Sequence, residues 1–169
     1  MGCDIHMYVE YKKKETARDY WCGFGKRINP GRNYWMFGIL SNGVRSEQEY
    51  SFEAKGLPED MSYASKWDSR CYISEDGEGE GECTLESALK WRESYGCKIY
   101  FRNEEAYACD DPDWHSHSWL TLNEYKNALE IYNNKENAVE EPEYEALLSA
   151  MEKLAEFNNR VRIVFWFDN

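Results

Sequence analysis

The chain has 169 residues, near the usual size of one domain, with 42% apolar and 31% charged residues and an aromatic share of 16%. Its formal charge of −12 opposes the phosphate backbone and excludes a general DNA or RNA binder, while leaving room for a locally basic pocket that takes a small anion. No apolar run approaches the length of a bilayer span, and no secretory signal opens the sequence, so a single soluble domain over 1–169 in the cytoplasm is expected.

Residues 4–11 alternate in the period of a strand, with Ile5, Met7, Val9 and Tyr11 on one face and Asp4, His6, Tyr8 and Glu10 on the other. Lys12 to Asp19 reads as a charged turn, and Tyr20 to Phe24 as a returning strand that Gly23 and Gly25 bring to an end. Tyr34 to Leu40 suits a two-turn core helix stopped by Ser41-Asn42-Gly43. From Val44 to Asp68 little is periodic, which marks a loop-rich insertion of the kind that carries function; Ser62 caps a short helix within it, running through Trp67.

Arg70 to Ser74 is read as a strand, and Glu75 to Glu82 as an exposed Gly/Glu loop. Thr84 is placed to cap a helix over 85–95 closed by Gly96, with a strand from Lys98 to Phe101 after it. Cys109 to Leu122 is expected to be a loop that ends at a helix N-terminus, since Thr121 and Glu124 have the spacing of a capping box. Helices to about Tyr132 and from Pro142 to Phe157 follow, then a last strand with Val161, Ile163, Phe165 and Phe167 alternating. The fold class is therefore α+β, with the N- and C-terminal strands in one antiparallel sheet, helices on one face, and long functional loops.

All three histidines lie in Asp-x-His pairings, Asp4-x-His6 and Asp113-x-His115 with His117 two residues further on. In extended backbone such residues point the same way, so a set of Asp4, His6, Asp113, His115 and His117 is expected to hold a divalent metal, zinc or manganese. In the metal-free alternative, the catalytic work falls to His115, His117, Asp4 and His6 as proton-transfer groups. Arg32 and Arg45, in turn regions with aromatic neighbours, are the candidate anion ligands, together with Tyr34, Ser116 and Trp119. Six cysteines without any Cys-x-x-Cys pair are read as free thiols.

Two acidic blocks hold the whole charge excess: residues 75–86, with six acids and no base, and residues 123–157, with nine acids and three bases. Both are expected to be solvated surface.

The opening Met-Gly-Cys-Asp-Ile-His, Gly31-Arg32-Asn33-Tyr34, the segment 56–62, His115-Ser116-His117-Ser118-Trp119 and the closing Phe165-Trp166-Phe167-Asp168-Asn169 resemble a family of small uncharacterised bacteriophage-encoded proteins. The resemblance implies an accessory role in the host cytosol, with counter-defence against a host protein as the associated expectation. It supplies no reaction. Asp4-Ile5-His6 also resembles the first motif of calcineurin-like metallophosphoesterases, but no Gly-Asn-His follows downstream. His115-x-His117 resembles the paired histidines of amidohydrolases, whose barrel is longer than this chain.

The leading functional expectation is a pocket protein that binds a small phosphorylated or nucleotide ligand, with or without metal-dependent hydrolysis of a phosphodiester type. The alternative is a non-enzymatic inhibitor that presents an acidic, nucleic-acid-mimicking surface to a host protein; it predicts binding that weakens steeply with salt.

Overall fold

Strand β1 (Ile5–Lys12) turns Ile5, Met7 and Val9 to one side, and β8 (Val161–Phe167) turns Val161, Ile163, Phe165 and Phe167 to the same side, so two apolar rows meet when the strands pair. They pair antiparallel along their length, from Ile5 opposite Phe167 to Tyr11 opposite Val161. The computed structural model describes residues 2–12, 20–157 and 160–169. The charged turn expected over Lys12 to Asp19 lies, apart from Lys12, outside the described residues.

The chain gathers into two compact units, residues 1–63 with 115–169, and residues 64–114. In the first, β2 (Trp21–Ile28) and β7 (His115–Thr121) flank the central pair in the order β2-β1-β8-β7, all antiparallel. Helices α1 (Tyr34–Leu40), α4 (Leu122–Asn133) and α5 (Pro142–Phe157) lay Phe37, Leu40, Tyr125, Leu129, Tyr144 and Met151 on the apolar face. The α+β class with both terminal strands in one antiparallel sheet is thus observed. Among the described residues, no helix is long and apolar enough to cross a membrane.

The helix boundaries follow local chemistry. The Asn33 side chain accepts from the Met36 N–H at the start of α1, and Thr121 and Glu124 form the reciprocal capping box of α4. The α1 stop at Ser41 is tied by the Ser41 N–H to the Phe37 carbonyl.

β2 runs on to Ile28, past the glycines expected to end it. Its register jumps between Val9 opposite Phe24 and Met7 opposite Ile28, and Gly25, at φ 75°, sits inside that irregularity. The glycine admits a bulge on an exposed edge strand and does not terminate it.

The second unit contains a sheet in the order β4-β3-β6-β5, built from β3 (Cys71–Ile73), β4 (Glu82–Cys83), β5 (Ile99–Arg102) and β6 (Glu105–Cys109). Helix α2 spans Tyr63–Asp68 and α3 spans Leu85–Tyr95. Thr84 caps α3 and Gly96 closes it at φ 74°, as the sequence predicts. The core here is small: Cys71, Cys83, Ala88, Ile99 and Cys109.

The face of the first sheet opposite the helices carries a polar core. Glu10 is fully buried, and its Oε2 accepts from Arg162 Nη2 at 2.7 Å and Nε at 2.8 Å. Glu10 Oε1 accepts the Ser62 N–H at 2.7 Å, and Arg162 also reaches the Asp60 carboxylate at 3.0 Å. The Arg162 guanidinium lies 3.9 Å from the Trp21 ring centroid. The loop-rich insertion is therefore ordered by a buried ion pair on β1 and β8. Removing one member leaves the other charge buried without its partner, so Arg162→Ala is expected to cost about 3–5 kcal/mol in urea unfolding, and the double variant Glu10→Gln, Arg162→Met distinctly less than the sum of its parts.

Candidate functional site

The polar residues that alternate with the apolar rows of β1 and β8 converge where the first strand begins and the last one ends. The Asp4 N–H donates to Asp168 Oδ1 at 2.9 Å, and the Asp168 N–H donates to the Asp4 carbonyl at 3.1 Å. Asp168 Oδ2 lies 2.8 Å from His6 Nε2. Arg32 clasps the Asp4 carboxylate with Nε at 2.5 Å and Nη2 at 2.8 Å, a bidentate geometry. Arg27 donates to the Ile5 carbonyl at 3.1 Å, and Arg45 to Asn169 Oδ1 at 2.7 Å. Tyr34 borders the group, its hydroxyl accepting the Cys3 N–H at 3.3 Å.

Alternation places Asp4 and His6 on one side of β1, as read from the sequence, but each is held by a different partner. The Arg32 hydrogen bond keeps the Asp4 carboxyl below its ordinary value of 3.8. Burial pulls the His6 imidazole below 6.5, against the opposing effect of the Asp168 hydrogen bond, so His6 is neutral at pH 7. Its ring stacks on Trp166 at 5.5 Å between centroids.

Within the segment expected to be a loop, Cys109 to Leu122, residues His115–Thr121 form strand β7, and it is bulged. His115 stands opposite Phe167 and Ser118 opposite Phe165, so three steps on β7 match two on β8. Ser116 takes up the extra residue at φ 51°. The two histidines consequently face opposite sides of the sheet: His115 stacks on core residue Phe167 at 6.1 Å, and His117 on Trp166 at 6.1 Å. The spacing of two, which in regular extended backbone puts both imidazoles at one point, does not do so across a bulge.

Of the remaining candidates, Ser116 Oγ lies 3.0 Å from His115 Nδ1, and the Trp119 ring is covered by Lys55 Nζ at 4.2 Å. Arg45 occupies the left-handed region at φ 60°. Asp113 belongs to the other unit, where its N–H donates to Asp111. Sequence reading missed Asp168 and Arg27 as partners of His6 and Ile5, though Asp168 falls in phase with Trp166 along the last strand.

A metal ion needs three or more donors close together, and among the described residues one group of His, Cys, Asp or Glu meets that demand: Cys71, Cys83 and Cys109, all buried, with sulfur atoms within 4.8 Å of one another. Cys83 Sγ and Cys109 Sγ are 3.6 Å apart. Hydrogen bonds from Cys109 and Cys83 lower the Cys71 thiol from its ordinary value, whereas burial pushes Cys83 up to about 12, and the hydrogen bond to Cys71 pushes Cys109 up. Within the first unit, Asp4, His6, His115 and His117 form no such group among the described residues.

Comparison of the chain with protein-family models, curated proteins and solved structures finds no match.

His115 supplies a direct check on the bulge. Among the described residues no hydrogen bond of good geometry reaches its buried Nε2, and burial, with the Arg45 charge, lowers its pKa from 6.5 against the opposing effect of Asn169. A lowered folded-state pKa means that the contribution to stability is present above about pH 6.5, the unfolded value, and is lost as pH falls through the folded one. His115→Phe keeps the ring against Phe167 and removes the buried polar atom but also the Nδ1–Ser116 Oγ hydrogen bond, so stability at pH 7 is expected to change by no more than about 1 kcal/mol. Chemical denaturation at pH 7 and pH 5 should show a smaller loss on acidification in the variant than in the wild type.

Proposed function

We propose that the protein binds a small phosphorylated ligand of the nucleotide class at the cluster of Asp4, His6, Arg32 and Asp168, and hydrolyses it with His6 moving the proton. The observation that carries this reading is the local charge. Arg32 on the Asp4 carboxylate, Arg27 on the Ile5 carbonyl and Arg45 on Asn169 bring three guanidinium groups to the sheet end that carries the carboxylates of Asp4 and Asp168, in a chain of formal charge −12. Arg32 keeps 55% of its side chain exposed while Asp4 fixes its plane. A pre-oriented guanidinium is suited to a planar or tetrahedral oxyanion. Tyr34, partly exposed beside Cys3, offers a ring face to a base.

His6 has the features of a general base. It is neutral at pH 7 and oriented by a carboxylate at 2.8 Å. In the proposed reaction Nδ1 of the ring, with Nε2 held by Asp168, takes a proton from water as the water oxygen bonds to phosphorus; the P–O ester or anhydride bond breaks, the leaving oxygen departs and is protonated by solvent, and the arginines stabilise the charge that gathers on the phosphoryl oxygens.

Titration calorimetry with inorganic phosphate, a nucleoside monophosphate and adenosine triphosphate tests the binding step. Arg32→Ala is expected to weaken the bound probe by about 10- to 150-fold, the equivalent of one charge-assisted hydrogen-bonded contact of about 1.5–3 kcal/mol. His6→Asn is expected to retain binding and lose turnover, and the wild-type rate should fall as pH drops below the His6 pKa, itself below 6.5, because the protonated imidazole accepts no proton. Absence of binding by all three probes, or binding indifferent to Arg32→Ala, would reject this function. Salt-sensitive capture of a basic protein by the acidic blocks at 75–86 and 123–157 would then be the reading to pursue.

A further inference from the structure

We infer that Cys71, Cys83 and Cys109 form a three-thiolate site for a soft, thiophilic cation, zinc(II) in the first instance, and that the ion holds the second unit's sheet together. The site is independent of the Asp/His/Arg cluster and of the function proposed for it.

Three adjacent strands deliver the sulfurs. Cys71 on β3 is the register partner of Cys109 on β6, and Cys83 on β4 lies opposite Ile73 on the other side of β3. All three residues are buried, at 2%, 3% and 0% exposure, so the sulfurs converge on one interior point. In a tetrahedral zinc site with Zn–S bonds of about 2.3 Å, neighbouring sulfurs are about 3.8 Å apart. The Cys83–Cys109 separation of 3.6 Å is close to that edge and far from the roughly 2.05 Å of a disulfide. An all-sulfur donor set selects zinc and other soft ions over magnesium, calcium or manganese. The three thiolates fill three of the four tetrahedral positions.

The energetics of the unit favour the same conclusion. It spans 64–114, about 50 residues, a size at which an apolar core alone gives marginal stability and a metal or cross-link commonly adds the rest. Its buried core cluster consists of Ala88, Ile99 and these three cysteines, with Ile73, Trp91 and Ala106 packed partly buried against it. β4 is two residues long, and its attachment to β3 includes the Tyr72 N–H to the Gly81 carbonyl at 2.7 Å and the Ser74 N–H to the Cys83 carbonyl at 3.0 Å. An ion bridging β3, β4 and β6 would close the acidic Gly/Glu loop between Ser74 and Gly81 and fix Cys83 immediately before the cap of α3. Buried cysteines also serve as small apolar side chains. That role requires burial but not the convergence of three sulfur atoms from three strands.

The test uses the full chain, purified without a histidine tag under reducing conditions and exposed to zinc(II), then freed of unbound metal. Elemental analysis is expected to find one zinc per chain, and cobalt(II) substitution to give the intense thiolate-to-cobalt charge-transfer absorption of a tetrahedral sulfur site. Cys71→Ser, Cys83→Ser and Cys109→Ser should each lose the ion, whereas Cys22→Ser and the pair His115→Ala, His117→Ala should keep it. Because a serine variant can fail to fold, hydrogen exchange on the wild type gives an independent readout: zinc should slow exchange at 71–73, 82–83 and 105–109 and leave β1 and β8 unchanged. Three reduced thiols that take up no zinc, a disulfide between two of them, or metal retained in Cys83→Ser would overturn the site.

Discussion

Pairing of the first strand with the last is the constraint on which the larger unit depends. β1 and β8 lie side by side in the middle of a four-stranded antiparallel sheet, although nearly the whole chain separates them in sequence. Closing that contact is entropically costly, and apolar burial must offset it. The offset is visible on the helix-covered face, where Ile5, Met7, Phe165 and Phe167 are fully buried against α1, α4 and α5. On the other face the same two strands carry Glu10 and Arg162, whose buried ion pair fits one register only. A slip of one residue would put those charges into the apolar core, so the pair specifies alignment more than it adds stability.

The same register brings Asp4 and Asp168 into mutual backbone and side-chain hydrogen bonds and sets His6 beside Asp168. The candidate site is therefore a consequence of strand pairing and not of a loop. Its histidine is oriented by a residue 162 positions away in sequence. Arg32 comes from the turn before α1, and Asn33, which caps that helix, fixes where the guanidinium starts. The bidentate grip on Asp4 then holds the plane of the guanidinium against the sheet end.

Local chemistry made much of this legible. The caps at Thr84 and Thr121, the closing Gly96, Pro142 at the start of α5 and the two alternating strands are signals confined to a few residues, and the elements they mark are found where they point. What stayed illegible is long-range or depends on a single inserted residue. The bulge at Ser116 sends His115 and His117 to opposite sides of β7, and a serine in left-handed backbone has no sequence signature that a spacing rule detects. Gly25 reads as the end of a strand in the sequence because a glycine that stops a strand and one that bulges it look alike until the partner strand is known. The Asp4–Arg32 pair was likewise hidden, since each residue has several equally suitable partners in sequence.

The cysteines show the same limit from the other direction. Metal motifs are recognised when two ligands share one turn, because the turn itself fixes their geometry. Cys71, Cys83 and Cys109 share none, and each pair is brought close only by strand neighbours. The two units solve the problem of an interior differently. The first buries aromatic rings and aliphatic side chains across a broad sheet face, while the second has strands of two to five residues and a core in which sulfur is the most abundant side-chain heteroatom. A sheet that small gains little from area. Cross-linking three strands at one point is the effective way to hold it, and the thiols stand where such a link would act on all three.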